Sequence, residues 1–296
     1  MSARQLARVI ADSLSPDGVR LSTQVITLPR IVLAELNTHR AISKSSASSR
    51  AVPIEKMIDA AENDPYIPEQ WDRNGAGMQG HGLIEGDDVA RCVSEWLAAR
   101  DEAVARARFL YVLGVHKQTT NRLLEPFLWH TVIVTATEWS NFFNLRCNPL
   151  AHPALRNTAE AMRAAMDQSR PRLVGYGEWH LPYFDPERDT DIAPDARPKV
   201  CAARCARVSY LTHDGIRDPS KDIALADKLL ADGHMAPLEH VARPLGHSWE
   251  DADLFDGMRL SDIDPKRHFV GNFRGWVQLR KTIAGEADIL GHRSEA

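Results

Sequence analysis

The sequence predicts a protein of the α+β class. Residues 18–27, Gly-Val-Arg-Leu-Ser-Thr-Gln-Val-Ile-Thr, alternate with β-branched side chains and read as a strand. Residues 87–113 carry Val89, Cys92, Val93, Trp96, Leu97, Val104, Phe109 and Leu110 at helical intervals between charges, with Gly114 as a stop. The dinucleotide-fold context is absent. A formal G-x-G-x-x-G at 75–80 follows Gln70-Trp71-Asp72-Arg73-Asn74 rather than an apolar strand, and reads as a loop.

The other elements follow in chain order. Leu28, Ile31, Val32, Leu33 and Leu36 predict a buried helix over 28–36, with Pro29 in its first turn. It ends on a polar loop, His39 to Arg50, which offers an imidazole, two guanidinium groups and a run of serine hydroxyls without a carboxylate. That donor set suits an anionic, oxygen-rich ligand such as a phosphate. Composition alone also allows a solvated Ser-rich linker. A short helix is expected over 54–61, a turn-rich loop over 65–86 and a short helix over 115–126 that stops at Pro126. Residues 127–136 are dense in aromatic and β-branched types and fit a strand or a buried helix equally. Residues 154–166, 200–210 and 220–232 read as helices, and 271–281 as an aromatic helix face edged with cations. Between them, 170–198 holds five prolines and many charges, the pattern of a linker or surface excursion.

Composition narrows the function classes. A chain of 296 residues with 44% hydrophobic and 26% charged residues is globular in type. A net charge of -4 and a pI near 6.3 argue against a nucleic-acid-coating surface. No run approaches the roughly 20 apolar residues needed to span a bilayer. The N-terminal stretch lacks a secretory cleavage pattern, so a cytoplasmic protein is expected. Cys92, Cys147, Cys201 and Cys205 fit reduced thiols. No metal is expected, because Cys201 and Cys205 lack a second ligand pair and His234 and His240 are six apart. Nor does a nucleophile stand beside a base: Ser48 and Ser49 are in no Gly-x-Ser-x-Gly elbow, and Cys147 has no activating neighbours. Any chemistry is then lent by a cofactor.

Three donor-rich clusters carry a resemblance to a known family. Thr38-His39-Arg40 is followed after seven residues by Ser48, and two positions on by Arg50. Asn121-Arg122-Leu123-Leu124-Glu125-Pro126 and Asn141-Phe142-Phe143-Asn144-Leu145-Arg146 form a second cluster. Ala206-Arg207-Val208-Ser209-Tyr210 and Gly233-His234-Met235-Ala236-Pro237-Leu238-Glu239-His240 form a third. Together they resemble the motifs of the flavin-dependent thymidylate synthases, the ThyX family, with departures at Thr38, Ser46 and Ala236. In that family the third cluster precedes the first; here it follows, so the chain resembles a divergent, circularly permuted member. Nearby termini make such a rearrangement feasible.

The resemblance implies a ThyX-like α+β fold, an antiparallel sheet packed with long helices in permuted connectivity. It implies a single catalytic domain over 1–296: 1–169 with the Arg-His-Arg-like loop and helical part, 170–198 as linker, 199–245 with the third cluster, and 246–296 as a C-terminal extension. His39, Arg40, Asn141, Ser209, Glu239 and His240 would contact FAD; Ser48, Arg50 and Arg122 would hold the nucleotide phosphate. Arg146 would sit at the pyrimidine base as the catalytic cation. The implied reaction transfers a one-carbon unit from methylenetetrahydrofolate to C5 of dUMP, with NADPH as reductant, in a cytoplasmic homotetramer that binds neither nucleic acid nor membrane. Two rivals remain: the same chemistry on dCMP, by methylation or hydroxymethylation, with Glu35 accepting from the exocyclic amine, and a non-catalytic nucleotide-binding homologue.

Overall fold

The structure, a computed structural model, describes residues 4–208, 217–246, 248, 251, 253–255 and 258–286. Its strands are β1 (Ala7–Leu14), β2 (Arg20–Pro29), β3 (Ser43–Ser46), β4 (Trp129–Ala136), β5 (Arg172–Leu173), β6 (Ala242–Pro244), β7 (Phe269–Val270), β8 (Phe273–Arg274) and β9 (Trp276–Gln278). The helices are α1 (Leu33–Asn37), α2 (Ile54–Asn63), α3 (Asp87–Val112), α4 (Lys117–Thr120), α5 (Ser140–Arg146), α6 (Pro153–Gln168), α7 (Arg197–Arg207) and α8 (Pro219–Ala231).

The central sheet has the order β3-β4-β2-β1-β5. All its pairings are antiparallel except the short β1–β5 contact. Period-two alternation sends the two faces of β2 and β4 into different cores. Ile26, Leu28, Val132 and Val134 face α5 and α6, where Phe142, Leu155, Ala159 and Met162 close one apolar core. Ile133 faces the other way, against Cys205 and Val208 at the end of α7. A separate cluster joins α2 and α3 through Ile54, Met57, Ile58, Ala61, Val104 and Ala107. On the far side, Trp276 and Phe273 pack with Val19, Leu21 and Ala242.

The α+β class, the 18–27 strand, and the helices over 54–61, 87–113, 154–166 and 220–232 agree with the structure to within a few residues at their ends. Gly114 stops α3 with φ +85°, a left-handed conformation that favours glycine. The ambiguous 127–136 stretch holds β4, an inner strand paired with both β2 and β3. The expected helix over 28–36 is not one helix. Leu28 and Pro29 still pair with His130 and Trp129, so the ladder continues to the proline. A single tight turn, Arg30–Val32, then leads into α1.

The helix expected over 271–281 is instead two short strands and a final turn, Leu279–Thr282. Gly275 forces this: it sits at φ +67°, and a Cβ there would lie 2.4 Å from the Pro265 carbonyl oxygen. Residues 170–198 are not a solvated excursion. Val174, His180, Asp189 and Ile192 are all buried, which ties this irregular segment to the interior. The helix expected at 200–210 begins earlier, at Arg197; Ser209 and Tyr210 lie outside the described residues. Most of α3 stays in water, and Phe109, Val112 and Leu113 are exposed.

Candidate functional site

The loop after α1 turns back as β3 and reaches a tight turn at Ser49–Ala51. Two residues from the second cluster pin that turn. Asn121 Nδ2 donates to the Ser49 and Val52 carbonyls at 2.7 and 3.0 Å, and Ser49 Oγ bonds Glu125. Ser48 and Arg50 are thereby held at the rim of a cavity of about 540 Å3. Its opposite wall is the segment 233–237, which follows α8. Residues almost two hundred positions apart in sequence thus line one space. Lys44, Arg50, His234 and the hydroxyls of Ser45, Ser46 and Ser48 line it, with no carboxylate. Ser45 Oγ is buried without a partner among the described residues.

A second cluster lies where α5 ends against α1. Arg146 Nε donates to His39 Nε2 at 2.8 Å, and its Nη2 lies 3.4 Å from Thr38 Oγ1 and 3.5 Å from the Glu35 carbonyl oxygen. Burial, reinforced by the Arg146 and Lys44 cations, pushes the His39 pKa down to about 4. The ring is therefore neutral at pH 7, as an acceptor for arginine must be. Phe142 supports it edge-on at 4.9 Å. Lys44 joins the two clusters: its ammonium donates to the His39 and Ile42 carbonyls at 2.6 and 2.8 Å while its side chain lines the cavity. Burial lowers the Lys44 pKa, and Glu239 opposes that effect.

The remaining expected site residues are dispersed. Arg40 and Asn141 are exposed on the outer side of the loop and of α5. Arg122 lines a different depression, of about 420 Å3, and its Nη1 donates to Glu125 at 2.8 Å. Among the described residues, the lining of the cavity at Ser48 and Arg50 does not include Arg122. Glu239 accepts from Arg280 Nη1 at 2.7 Å. His240 is fully buried, with Nδ1 2.7 Å from Thr135 Oγ1 on β4. Ser209 lies outside the described residues.

Sequence reasoning missed Lys44 and the pinning roles of Asn121 and Glu125. Lys44 gave no signal beyond a cation within the serine run. Among the described residues no cluster of His, Cys, Asp and Glu could hold a metal ion, and no helix is long and apolar enough to cross a membrane.

A family profile described as "Thymidylate synthase complementing protein" matches residues 19–172, more than half of the chain. The chain belongs to this family. The matched span holds the Ser48–Arg50 turn, Arg122 and Arg146, while the 233–240 segment lies after it. Among solved structures, it is similar to a UMP/dUMP methylase PolB from Streptomyces cacaoi bound with 5-Br UMP. That similarity is at 15% identity and a TM-score of 0.45, over 55% of this chain and 88% of that one. It is also similar to the same methylase bound with 5-Br dUMP, at 18% identity and a TM-score of 0.39, over 50% and 66% of the two chains. No curated protein matches the sequence.

Proposed function

We propose that the chain is a permuted, flavin-dependent thymidylate synthase that transfers a one-carbon unit from methylenetetrahydrofolate to C5 of dUMP, with FAD as cofactor and NADPH as reductant. The observation that carries this reading is the shared cavity, in which the Ser48–Arg50 turn faces the 233–237 segment. The donor set fits anionic groups such as a nucleotide phosphate or a flavin pyrophosphate. Lys44, Arg50 and three serine hydroxyls converge without an opposing carboxylate, and Ser45 Oγ is buried and unpartnered. Reduced flavin, when bound, supplies hydride to the transferred carbon.

The protein's own part is binding and electrostatics. Ser48 and Arg50 hold the nucleotide phosphate, with Arg122 reaching it across a subunit boundary. His39, Arg40, Asn141, Ser209, Glu239 and His240 form the flavin side. Arg146 faces the base, where a cation stabilises the negative charge that builds as C5 becomes nucleophilic. Neutral His39 holds that guanidinium through its Nε donor. The active form is a cytoplasmic homotetramer, an assembly supported by the exposed Phe109 and Val112 of α3 and Leu113 just after it. The whole chain, 170–198 included, acts as one catalytic domain.

One observation favours a second reading, dCMP as the substrate. Glu35, whose backbone carbonyl oxygen lies 3.5 Å from Arg146 Nη2, keeps its Oε2 buried without a partner among the described residues. A carboxylate oxygen in that setting accepts from the exocyclic amine of cytosine. Incubation with FAD, NADPH, methylenetetrahydrofolate and either dUMP or dCMP, read by mass, separates the two. Methylated dUMP is expected. A methylated or hydroxymethylated dCMP product selects the second reading, and no product from either nucleotide overturns both.

A further inference from the structure

A chain of buried polar side chains crosses the face of the sheet beneath α7. Ser13 Oγ on β1 lies 2.8 Å from His180 Nδ1, and His180 Nε2 lies 2.7 Å from Thr23 Oγ1 on β2. Thr23 Oγ1 is 2.8 Å from Thr135 Oγ1 on β4, its directly opposed neighbour in the ladder. Thr135 Oγ1 in turn lies 2.7 Å from His240 Nδ1. Thr23, Thr135, His180 and His240 are fully buried, and Ser13 is nearly so. Neither end of this chain is closed in the same way. Ser13 lies in the lining of a cavity of about 700 Å3 beside Arg172 and Trp179. His240 Nε2, at the other end, is buried without a partner among the described residues.

The links are not independent. Each hydroxyl has one proton, and each neutral imidazole has one N–H and one bare nitrogen. If every link is made and both threonine protons are used, only two arrangements exist. In one, Ser13 donates to His180 Nδ1, the sense runs through Thr23 and Thr135, and both histidines carry their proton on Nε2. In the other, His240 Nδ1–H donates to Thr135, the sense is reversed, both histidines carry it on Nδ1, and the Ser13 proton is turned out of the relay toward the cavity that Ser13 lines. A mixed pair leaves a buried threonine proton unbonded or leaves the Thr23–Thr135 contact without a proton, lone pair against lone pair. The two full arrangements differ in what His240 Nε2 presents, an N–H or a lone pair. An orphaned buried N–H is the rarer and costlier of the two, which favours the Nδ1–H arrangement.

We infer that Ser13, His180, Thr23 and Thr135 are positioning residues for His240: they form a relay that sets which of its ring nitrogens carries the proton, and the relay can be reset from the cavity at Ser13. Burial, which pushes both imidazoles down to about 3, keeps them neutral and the relay intact at pH 7. Its significance for catalysis rests on the proposed placing of His240 on the flavin side, since the proton on Nε2 decides whether that atom donates or accepts.

The relay is tested by solid-state 15N NMR of the full-length, histidine-labelled protein, with His180→Gln and His240→Gln identifying the two sets of resonances. Both rings are expected to be neutral with the proton on Nδ1. Ser13→Ala removes the acceptor for His180 Nδ1–H. Each arrangement then carries one orphaned N–H, so His240 should shift to a mixture of tautomers although it lies four hydrogen bonds from the substitution. Thr135→Val should uncouple the two rings, and Thr135→Ser should restore the wild-type spectrum, which a merely space-filling role for Thr135 would not require. Unlike tautomers in the two wild-type rings, a charged ring at pH 7, or a His240 spectrum unmoved by Ser13→Ala overturns the inference. Matched tautomers in a protein that methylates neither nucleotide would refute the functional reading and leave the relay standing.

Discussion

Arg50 and Arg122 were expected to share one ligand, and their surroundings now set them apart. Arg50 makes no hydrogen bond to another described residue and points from a turn that Asn121 and Glu125 hold still. Arg122 is already engaged with Glu125, whose pKa is held down by Ser49, Arg30 and Arg122 against the opposing effect of burial. A hydrogen bond to a charged group contributes about 1.5–3 kcal/mol. Arg50→Ala is therefore expected to weaken dUMP binding by roughly ten- to a hundredfold, measured by isothermal titration calorimetry at fixed salt. Unchanged affinity would remove Arg50 from the phosphate site. A loss of the same size in Arg122→Ala would place both arginines on one phosphate across a subunit boundary.

At the scale of elements, the expectations failed where local pattern and sheet pairing competed. Leu28, Val32 and Leu36 recur every fourth residue, the period of a helix, yet Leu28 is held in a ladder by His130 on a strand a hundred residues away. No window of the sequence contains that partner. Residues 170–198 differ from the local pattern for a related reason: their charges look solvated, but Asp189 is buried and paired inside. Asp189 bonds Arg204 through both carboxylate oxygens, at 2.6 and 2.9 Å, and Arg204 Nε reaches Asp222 of α8 at 3.1 Å. Arg207 and Arg217 complete the cluster. It is the polar joint between α7, α8 and the irregular segment. Removing one partner of such a buried group leaves an uncompensated charge, at a cost of about 3–5 kcal/mol. Arg204→Met should lower the urea midpoint accordingly, whereas Arg106→Ala, which breaks an exposed pair with Glu102, should move it by no more than about 1 kcal/mol. Equal effects from the two substitutions would show that the cluster is not a joint.

For the whole molecule, the order of motifs was legible before the fold. The serine-rich turn and the 233–240 segment were expected to belong together, and one cavity does join 44–51 with 233–237. What no spacing revealed was how many histidines the folded chain keeps from water. His39 and His130 are pushed down to about 4, and His180 and His240 to about 3, in each case first by burial. In the unfolded chain all four titrate near the ordinary value of about 6.5. Below that pH the unfolded state takes up protons that the native state refuses, so acid favours unfolding. The stability held by these rings is complete above about pH 6.5. It falls as the pH drops toward 4 for His39 and His130, and continues to fall toward 3 for His180 and His240. Each fully buried ring contributes a slope of about 1.4 kcal/mol per pH unit. Asp189, held at about 2 by Arg204 and its neighbours despite burial, adds a further loss at lower pH. Urea midpoints at one protein concentration should therefore decline between pH 7 and 5, above the range where carboxylates alone begin to matter. The double variant His180→Gln, His240→Gln should flatten that decline even if it is less stable at pH 7. A wild-type midpoint constant from pH 8 to 5 would mean that these histidines are protonated at no cost in the native state, and so are not enclosed as the packing of β4 and the 236–240 turn requires.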